Sequence, residues 1–377
     1  MNFVNVILFQ AEVVPDKLAI VAHGSIIPYG RLASGILSVQ KRLSAIGLSA
    51  GQTVGISVAH PIDHLVVACA LYRMKIASAS INAAADIYLD NVPFDVVLAD
   101  NALPTVSVKQ PTARMVLIDP SWFQDQTAST VTQRTTGHRD TETKWVSRIV
   151  CYPHSDGSCS VVRTSAQLLE AQLQTYCISA PPLWDRMISI AGVQSNAGFL
   201  QAISALSLGR SVCFTDVYNV RSLSLLYRHD YLVAPIELVE PLLKLQEADY
   251  AALHGLRAAC FEGSASSTSV MSRSLTMICS NLLFRYTHPE TGIVAYGDVS
   301  RFKAVEGAVG FVAPWIEAQV ISSSEILLPA GQEGTLRFRP RVNSGYGASD
   351  SSRDDDWNYP ARRAVIMANQ LLVIRPS

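Results

Sequence analysis

Between the apolar run "RIV" and the helix-like "AQLLEAQL" stands "YPHSDGSCSVVRTS", residues 152–165. Ser155, Gly157, Ser158 and Ser160 give it the small, hydroxyl-bearing character of a loop that surrounds a phosphate with backbone N–H groups. The stretch has no lysine, and Asp156 at its centre would repel an anion. Two readings stand: a phosphate loop in altered form, or a strand-to-helix turn without phosphate contact. Further along, Glu290 is a carboxylate between Pro289 and Thr291, a type of group that ligates a hard cation or is simply solvated. His60, His64, His154, His229, His254 and His288 lack metal-ligand spacing, and the sequence holds no Cys/His cluster of the zinc-binding kind.

Such groups need a scaffold, and the bulk numbers bound it. With 377 residues, 49% hydrophobic and 16% charged, the chain exceeds the size of a single growing core and predicts two or three subdomains. A net charge of -1 gives no electrostatic reason to expect nucleic acid or an anionic membrane as partner. Seven scattered cysteines, never spaced C-x-x-C, read as free thiols in a reducing cytoplasm. The opening "MNFVNVILFQAEVVPDK" has no basic region before its apolar run and reads as a short structured segment. No stretch reaches the roughly 18 uninterrupted apolar residues of a spanning helix.

Strand-like and helix-like runs alternate. "KLAIVAHGSIIPYG" predicts a hairpin turning at "HGS", and "YGRLASGILSVQKRLSAIG" a helix closed by Gly47. "TVGISVA", "SASIN", "FDVVLADN", "WVSRIVCYP", "DRMISIAGV", "SVCFTD", "YLVAPIE", "AACFEGS" and "LLFRYT" read as strands. They are interleaved with helices such as "PIDHLVVACALYRMK" and "NAGFLQAISALSLG". The alternation predicts an α/β fold of two doubly wound sheets with flanking helices. From about residue 300 the runs shorten and turns multiply, which predicts a small β-barrel-like subdomain. The expected boundaries are 1–150 and 151–300 for two α/β subdomains and 301–377 for the third.

The order of several landmarks resembles the large N-terminal domain of the adenylate-forming superfamily, which includes acyl- and aryl-CoA ligases, luciferases and adenylation domains. The opening "PDKLAIV…IPYGRLAS", the helix "SNAGFLQAISALSLG", the turn "FEGSAS", "YTHPETG", "GAVGFVAPWIEAQVI…LPAGQEGTLRFRP" and "WNYPAR" follow its sequence of elements over nearly the whole chain. The resemblance implies ATP-dependent activation of a small-molecule carboxylic acid, with Mg²⁺, and transfer to CoA or a carrier-protein thiol.

It also implies roles residue by residue. Ser155, Gly157 and Ser158 stand in the phosphate loop, without its Pro-Lys pair. Gly263, Ser264 and Ala265 stand in the small-residue turn that lines the adenine and acyl pocket. Tyr286 stands beside adenine, Thr287 replaces the usual glycine, and Glu290 occupies the place of the Mg²⁺ ligand. Arg362 falls where the family's aspartate grips the ribose, and an arginine cannot accept a hydrogen bond. Ser195, Asn196 and Gly198 open the helix that faces the acid; Ser195 serves equally as a helix cap. His288 lies within the nucleotide motif. No catalytic residue is assigned.

The family's small C-terminal domain, with its lysine, does not follow Arg375, and the reading expects it to be separate or removed. Two functions remain open. One is a cytoplasmic acyl-adenylate-forming ligase with atypical or impaired use of ATP, working with a carrier protein, a separate C-terminal domain or a second copy as homodimer. The other is an inactive homologue that acts by binding or interaction.

Overall fold

The computed structural model describes residues 2–81, 92–100, 113–124, 145–153, 159–247, 253, 255–264, 267–341, 357–360 and 362–375. By internal contacts the chain divides into two compact units, Met1–Leu173 with Gly192–Phe214, and Gln174–Ala191 with Thr215–Ser377.

The first unit opens with α1 (Phe3–Val13), capped by Asn2, whose side-chain oxygen accepts from the N–H groups of Val4 and Asn5 at 3.0 and 3.2 Å. The hairpin of β1 (Leu18–Ala22) and β2 (Ser25–Pro28) turns at His23 and Gly24, both left-handed, as a two-residue connection requires. Helix α2 (Tyr29–Ala45) follows and ends before Gly47, which is also left-handed. Next come β3 (Thr53–Ser57), α3 (Pro61–Arg73), β4 (Ala77–Ser80), β5 (Val96–Ala99), β6 (Arg114–Leu117), β7 (Val146–Pro153) and β8 (Cys159–Ser165). They form a sheet in the order β6-β5-β3-β4-β7-β8, parallel up to β7. Helix α3 buries all its residues but Asp63 and Arg73, the pattern of a helix surrounded by core. Arg73 donates to the side-chain oxygens of Gln40 and Asn5 at 2.9 and 2.7 Å. After α4 (Ala166–Ile178), which crosses into the second unit, the first unit is completed by α5 (Asn196–Ser207) and β10 (Ser211–Phe214), the latter parallel to β1.

Strand β8 corrects the expectation for residues 152–165. The stretch does not run from strand to helix: Cys159–Ser165 folds back antiparallel on β7, from Pro153↔Cys159 to Val146↔Ser165. Val162 and Thr164 turn inward at 8% and 2% exposure while Arg163 is exposed, the alternation of a half-buried strand.

In the second unit β9 (Arg186–Ser189), β11 (Tyr231–Pro235), β12 (Ala258–Glu262) and β13 (Leu282–His288) lie side by side in that order, all parallel. The helices α6 (Val220–Tyr227), α7 (Val239–Glu247) and α8 (Thr268–Met277) alternate with them along the chain. The chain then turns antiparallel through β14 (Gly292–Asp298), β15 (Ala308–Val312), β16 (Ile316–Ile321), β17 (Glu333–Pro340), β18 (Arg363–Ile366) and β19 (Leu371–Ile374). A separate barrel-like subdomain over 301–377 is not seen among the described residues. Those strands extend the same sheet in the order β13-β14-β15-β19-β18-β17-β16. The physical reason is that β14 returns beside β13 and presents an open edge, which further antiparallel strands then pair. Among the described residues no helix is long and apolar enough to cross a membrane.

Close approach of the backbone demands glycine at Gly310 in this extension. Gly310 in β15 has φ +111°, and a Cβ there would lie 2.6 Å from the carbonyl carbon of Tyr296 on β14. Gly310→Ala therefore combines backbone strain with overpacking and should cost at least about 2 kcal/mol. Chemical denaturation of the two proteins measures it; an unchanged midpoint would contradict the close approach.

Candidate functional site

The expected site residues fall in both units. In the first, Ser195 is the N-cap of α5: its Oγ accepts from the Gly198 N–H at 3.0 Å and its hydroxyl donates to the Gly192 carbonyl at 2.7 Å. Both capacities of the hydroxyl are thus used in building the helix start. Asn196 opens the first turn and Gly198 is buried behind it. Ser155, Gly157 and Ser158 lie outside the described residues, as does Ala265.

Beneath the first turn of α5 lies a group that periodicity alone did not single out. The Arg148 guanidinium, on β7, stacks 4.0 Å above the ring of Phe199 and donates to Ser80 Oγ at 3.0 Å. Ser80 Oγ also lies 3.0 Å from His64 Nε2, while His64 Nδ1 is 3.2 Å from the Val58 carbonyl. A carbonyl only accepts, so Nδ1 carries the proton and Nε2 accepts from the serine. Burial, then the Arg148 charge, push His64 down to about 3, which keeps it neutral at physiological pH. Burial also pushes Arg148 down, to about 10.

In the second unit the motif segments meet at the carboxyl ends of parallel strands, where open α/β sheets bind ligands. The N–H of Gly263, just past β12, donates to the carbonyl of Arg285 on β13 at 3.1 Å. A Cβ at Gly263 would run into Cγ2 of Ile236, so packing alone demands glycine there. Ser264 beside it is half-buried. "YTHPETG" forms a hairpin: Tyr286 pairs with Ala295, Thr287 with Ile293 and His288 with Gly292. Tyr286 is buried at 3% exposure, Thr287 is half-buried, and the His288 ring meets Phe338 edge-on at 5.2 Å. Arg362 enters β18, its carbonyl accepting from the Leu336 N–H at 2.9 Å, two residues from Phe338 along β17. Trp357 is held by the guanidinium groups of Arg337 and Arg339, each 4.4 Å from its ring centroid.

Glu290 is half-buried and makes no ion pair or hydrogen bond among the described residues, and Arg362 likewise has no side-chain partner among them. Burial raises the Glu290 carboxyl above its ordinary value. Its lack of a partner suits a single ligand to a hard cation. Among the described residues no group of three or more His, Cys, Asp or Glu could hold a metal ion.

Two strands carry a buried polar cluster. Glu262 ends β12 and pairs in register with Arg285 of β13, so both side chains leave the same face. Tyr176 of α4 donates to Glu262 Oε1, and its ring stands 5.1 Å from the Arg285 guanidinium. Exposures are 2%, 5% and 1% for Tyr176, Glu262 and Arg285. Burial, then the Glu262 charge, hold the Tyr176 phenol well above its ordinary value, so it stays a donor. The sequence signal was a charge within each of two apolar runs, "AACFEGS" and "LLFRYT". A separate cavity of about 480 Å³ in this unit is lined by Asn281, Leu283, Tyr296 and Phe311 among others, and by none of the expected site residues.

No protein-family model matches the chain, and no curated protein matches it in sequence. Solved structures do match. o-Succinylbenzoate CoA synthetase (MenE) of Bacillus subtilis, bound to ATP and magnesium, superposes with a TM-score of 0.81 at 10% identity, over 98% of this chain and 78% of that one. The same synthetase is known with AMP and with the acyl-adenylate OSB-AMP. The N-terminal domain of FACL13 from Mycobacterium tuberculosis gives 0.80 at 14% identity, over 100% of both chains. The amide bond synthetase McbA of Marinactinospora thermotolerans gives 0.79 at 14%, over 100% of this chain and 79% of its own. The fold is that of the large domain of the adenylate-forming ligases.

The carboxyl of Glu290 generates a pH test. Its proton is held more tightly in the folded chain than at the ordinary value of 4.5, so its contribution to stability is lost as pH rises from 4.5 through the raised value. Glu290→Gln cannot ionise and escapes that loss. The variant should unfold at a higher temperature than the parent at pH 7, with the gap closing below pH 4.5. Thermal scans across pH measure it, and a parent more stable than the variant at pH 7 without added metal would show a carboxylate partner.

Proposed function

We propose that the chain is an acyl-adenylate-forming-ligase-like domain that takes a small-molecule carboxylic acid, with atypical or impaired use of ATP. The observation that carries this reading is the likeness of fold over the whole chain, with "FEGS" and "YTHPE" joined at the strand ends by the Gly263–Arg285 hydrogen bond. Gly263, Ser264, Tyr286, Thr287 and His288 then form the floor of the ligand site in the second unit.

The residues fit the implied cofactors unequally. Glu290 fits Mg²⁺ as one carboxylate ligand, the remainder being phosphate oxygens and water. Magnesium held there supplies neutralisation of phosphate charge. Arg362 does not fit a ribose clamp, because a guanidinium has donors and no acceptor. Its free donors suit a phosphate or carboxylate instead. The acyl acceptor, on this reading, is CoA or a carrier-protein thiol.

Arg362 also favours a second reading, a homologue that binds an acid or a partner without turning over ATP. The experiment is pyrophosphate exchange with a panel of aryl and fatty acids, alone and with a supplied C-terminal domain, beside thermal unfolding of the full chain with each acid. The first reading expects acid-dependent exchange in at least one of these combinations. An acid at 100 times its Kd should add about 2.7 kcal/mol of stability. Stabilisation by an acid with no exchange in any combination establishes the second reading. No exchange and no stabilisation by any acid contradict both.

A further inference from the structure

Arg285 is 1% exposed, and among the described residues nothing accepts a hydrogen bond from its Nε, Nη1 or Nη2. A buried guanidinium with all its donors open is rare, since buried polar groups are nearly always paired. Its neighbours are in place but do not satisfy it. Glu262 shares its face of the sheet and supplies a counter-charge, yet that carboxylate accepts from Tyr176 instead. Tyr176 itself presents a ring to the guanidinium, not an acceptor. Arginine remains charged at this site, as it does throughout proteins.

Along β13, alternation places Leu283, Arg285 and Thr287 on one face. Thr287, the next residue on that face toward the carboxyl end, is half-buried, and so are Gly263 and Ser264 just past the end of β12. The face therefore opens toward solvent one step past Arg285, at the carboxyl ends of the strands. A planar fork of N–H donors in a water-poor setting matches a carboxylate in two-pronged fashion, more strongly than any neutral group.

We propose that Arg285 anchors a second carboxylate on the ligand, so that the acid bound at these strand ends is a dicarboxylic acid. Glu262 and Tyr176 hold the guanidinium in place from one side, leaving its outer donors to the ligand. The inference rests on the reading of this domain as an acid-binding one and names the class of acid.

The test is calorimetric titration of the full chain with matched pairs of aliphatic and aryl monocarboxylates and dicarboxylates of equal length. The dicarboxylate of a pair should bind at least about 10-fold tighter, the scale of one charge-assisted bidentate contact. Arg285→Gln should erase that preference while leaving monocarboxylate binding within about 2-fold, and Arg285→Lys should restore part of it. Should Arg285→Gln fail to fold, Glu262→Gln decides: with the competing carboxylate neutral, the dicarboxylate preference should grow. Equal binding of both members of a pair overturns this inference and leaves the acid-binding reading standing, as does a preference that survives Arg285→Gln or is unmoved in Glu262→Gln. Absence of binding by every acid overturns the acid-binding reading and this inference with it.

Discussion

The register of β12 on β13 is the constraint on which the second unit turns. Glu262 pairs with Arg285 and Cys260 with Leu283. In parallel strands a slip of one residue would send every side chain to the other face. The observed register sets a carboxylate and a guanidinium on the same side, where Tyr176 reaches the carboxylate. It also brings the N–H of Gly263 against the Arg285 carbonyl and sends Tyr286 to the opposite face. Ile236 packs where a Gly263 side chain would be, which closes the turn from above. Strand ends, turn and hairpin are thus fixed together.

Holding charge in this layer is costly. Removing an ion from water costs several kcal/mol even after relaxation, and its counter-ion repays that only with good hydrogen bonds. Glu262 has such a bond from Tyr176; Arg285 has none from any described residue. The first unit repeats the pattern in another form. Arg148 rests on Phe199 and gives one hydrogen bond to Ser80, with His64 kept neutral behind it. Cation–π stacking contributes about 2 kcal/mol when desolvated, which offsets only part of the burial of a charge. Each unit carries a guanidinium in its interior that apolar packing alone does not explain.

Much of the fold was legible because period and turn chemistry agree locally. The helix over 29–45 and the hairpin at His23–Gly24 follow from apolar spacing and left-handed turn residues. Strand β8 was hidden because Ser155, Gly157, Ser158 and Ser160 speak for a loop, although "VVRTS" already alternates. The strands after residue 300 were visible individually, but which edge they pair with is a long-range matter that no local pattern encodes. The same holds for the site. Gly263, Tyr286 and Glu290 could be placed by resemblance, whereas the pairing of Glu262 with Arg285 depends on register, which only the folded sheet reveals. Ser195 shows the converse: a residue assigned to a ligand by resemblance already spends its proton and one of its two lone pairs on the cap of α5.

On the function proposed above, the fold of these synthetases persists here while groups assigned to the nucleotide have changed. Gly263 and Tyr286 stand in a structured floor at the strand ends. On that proposal Arg362 offers donors where ribose hydroxyls would need an acceptor, and Glu290 stands as a single carboxylate. Calorimetric titration of the full chain with Mg-ATP, at saturating acid, measures this most directly. The account predicts a Kd weaker than about 1 mM, equivalent to less than about 4.1 kcal/mol of binding. A Kd in the micromolar range, about 8 kcal/mol, would contradict it.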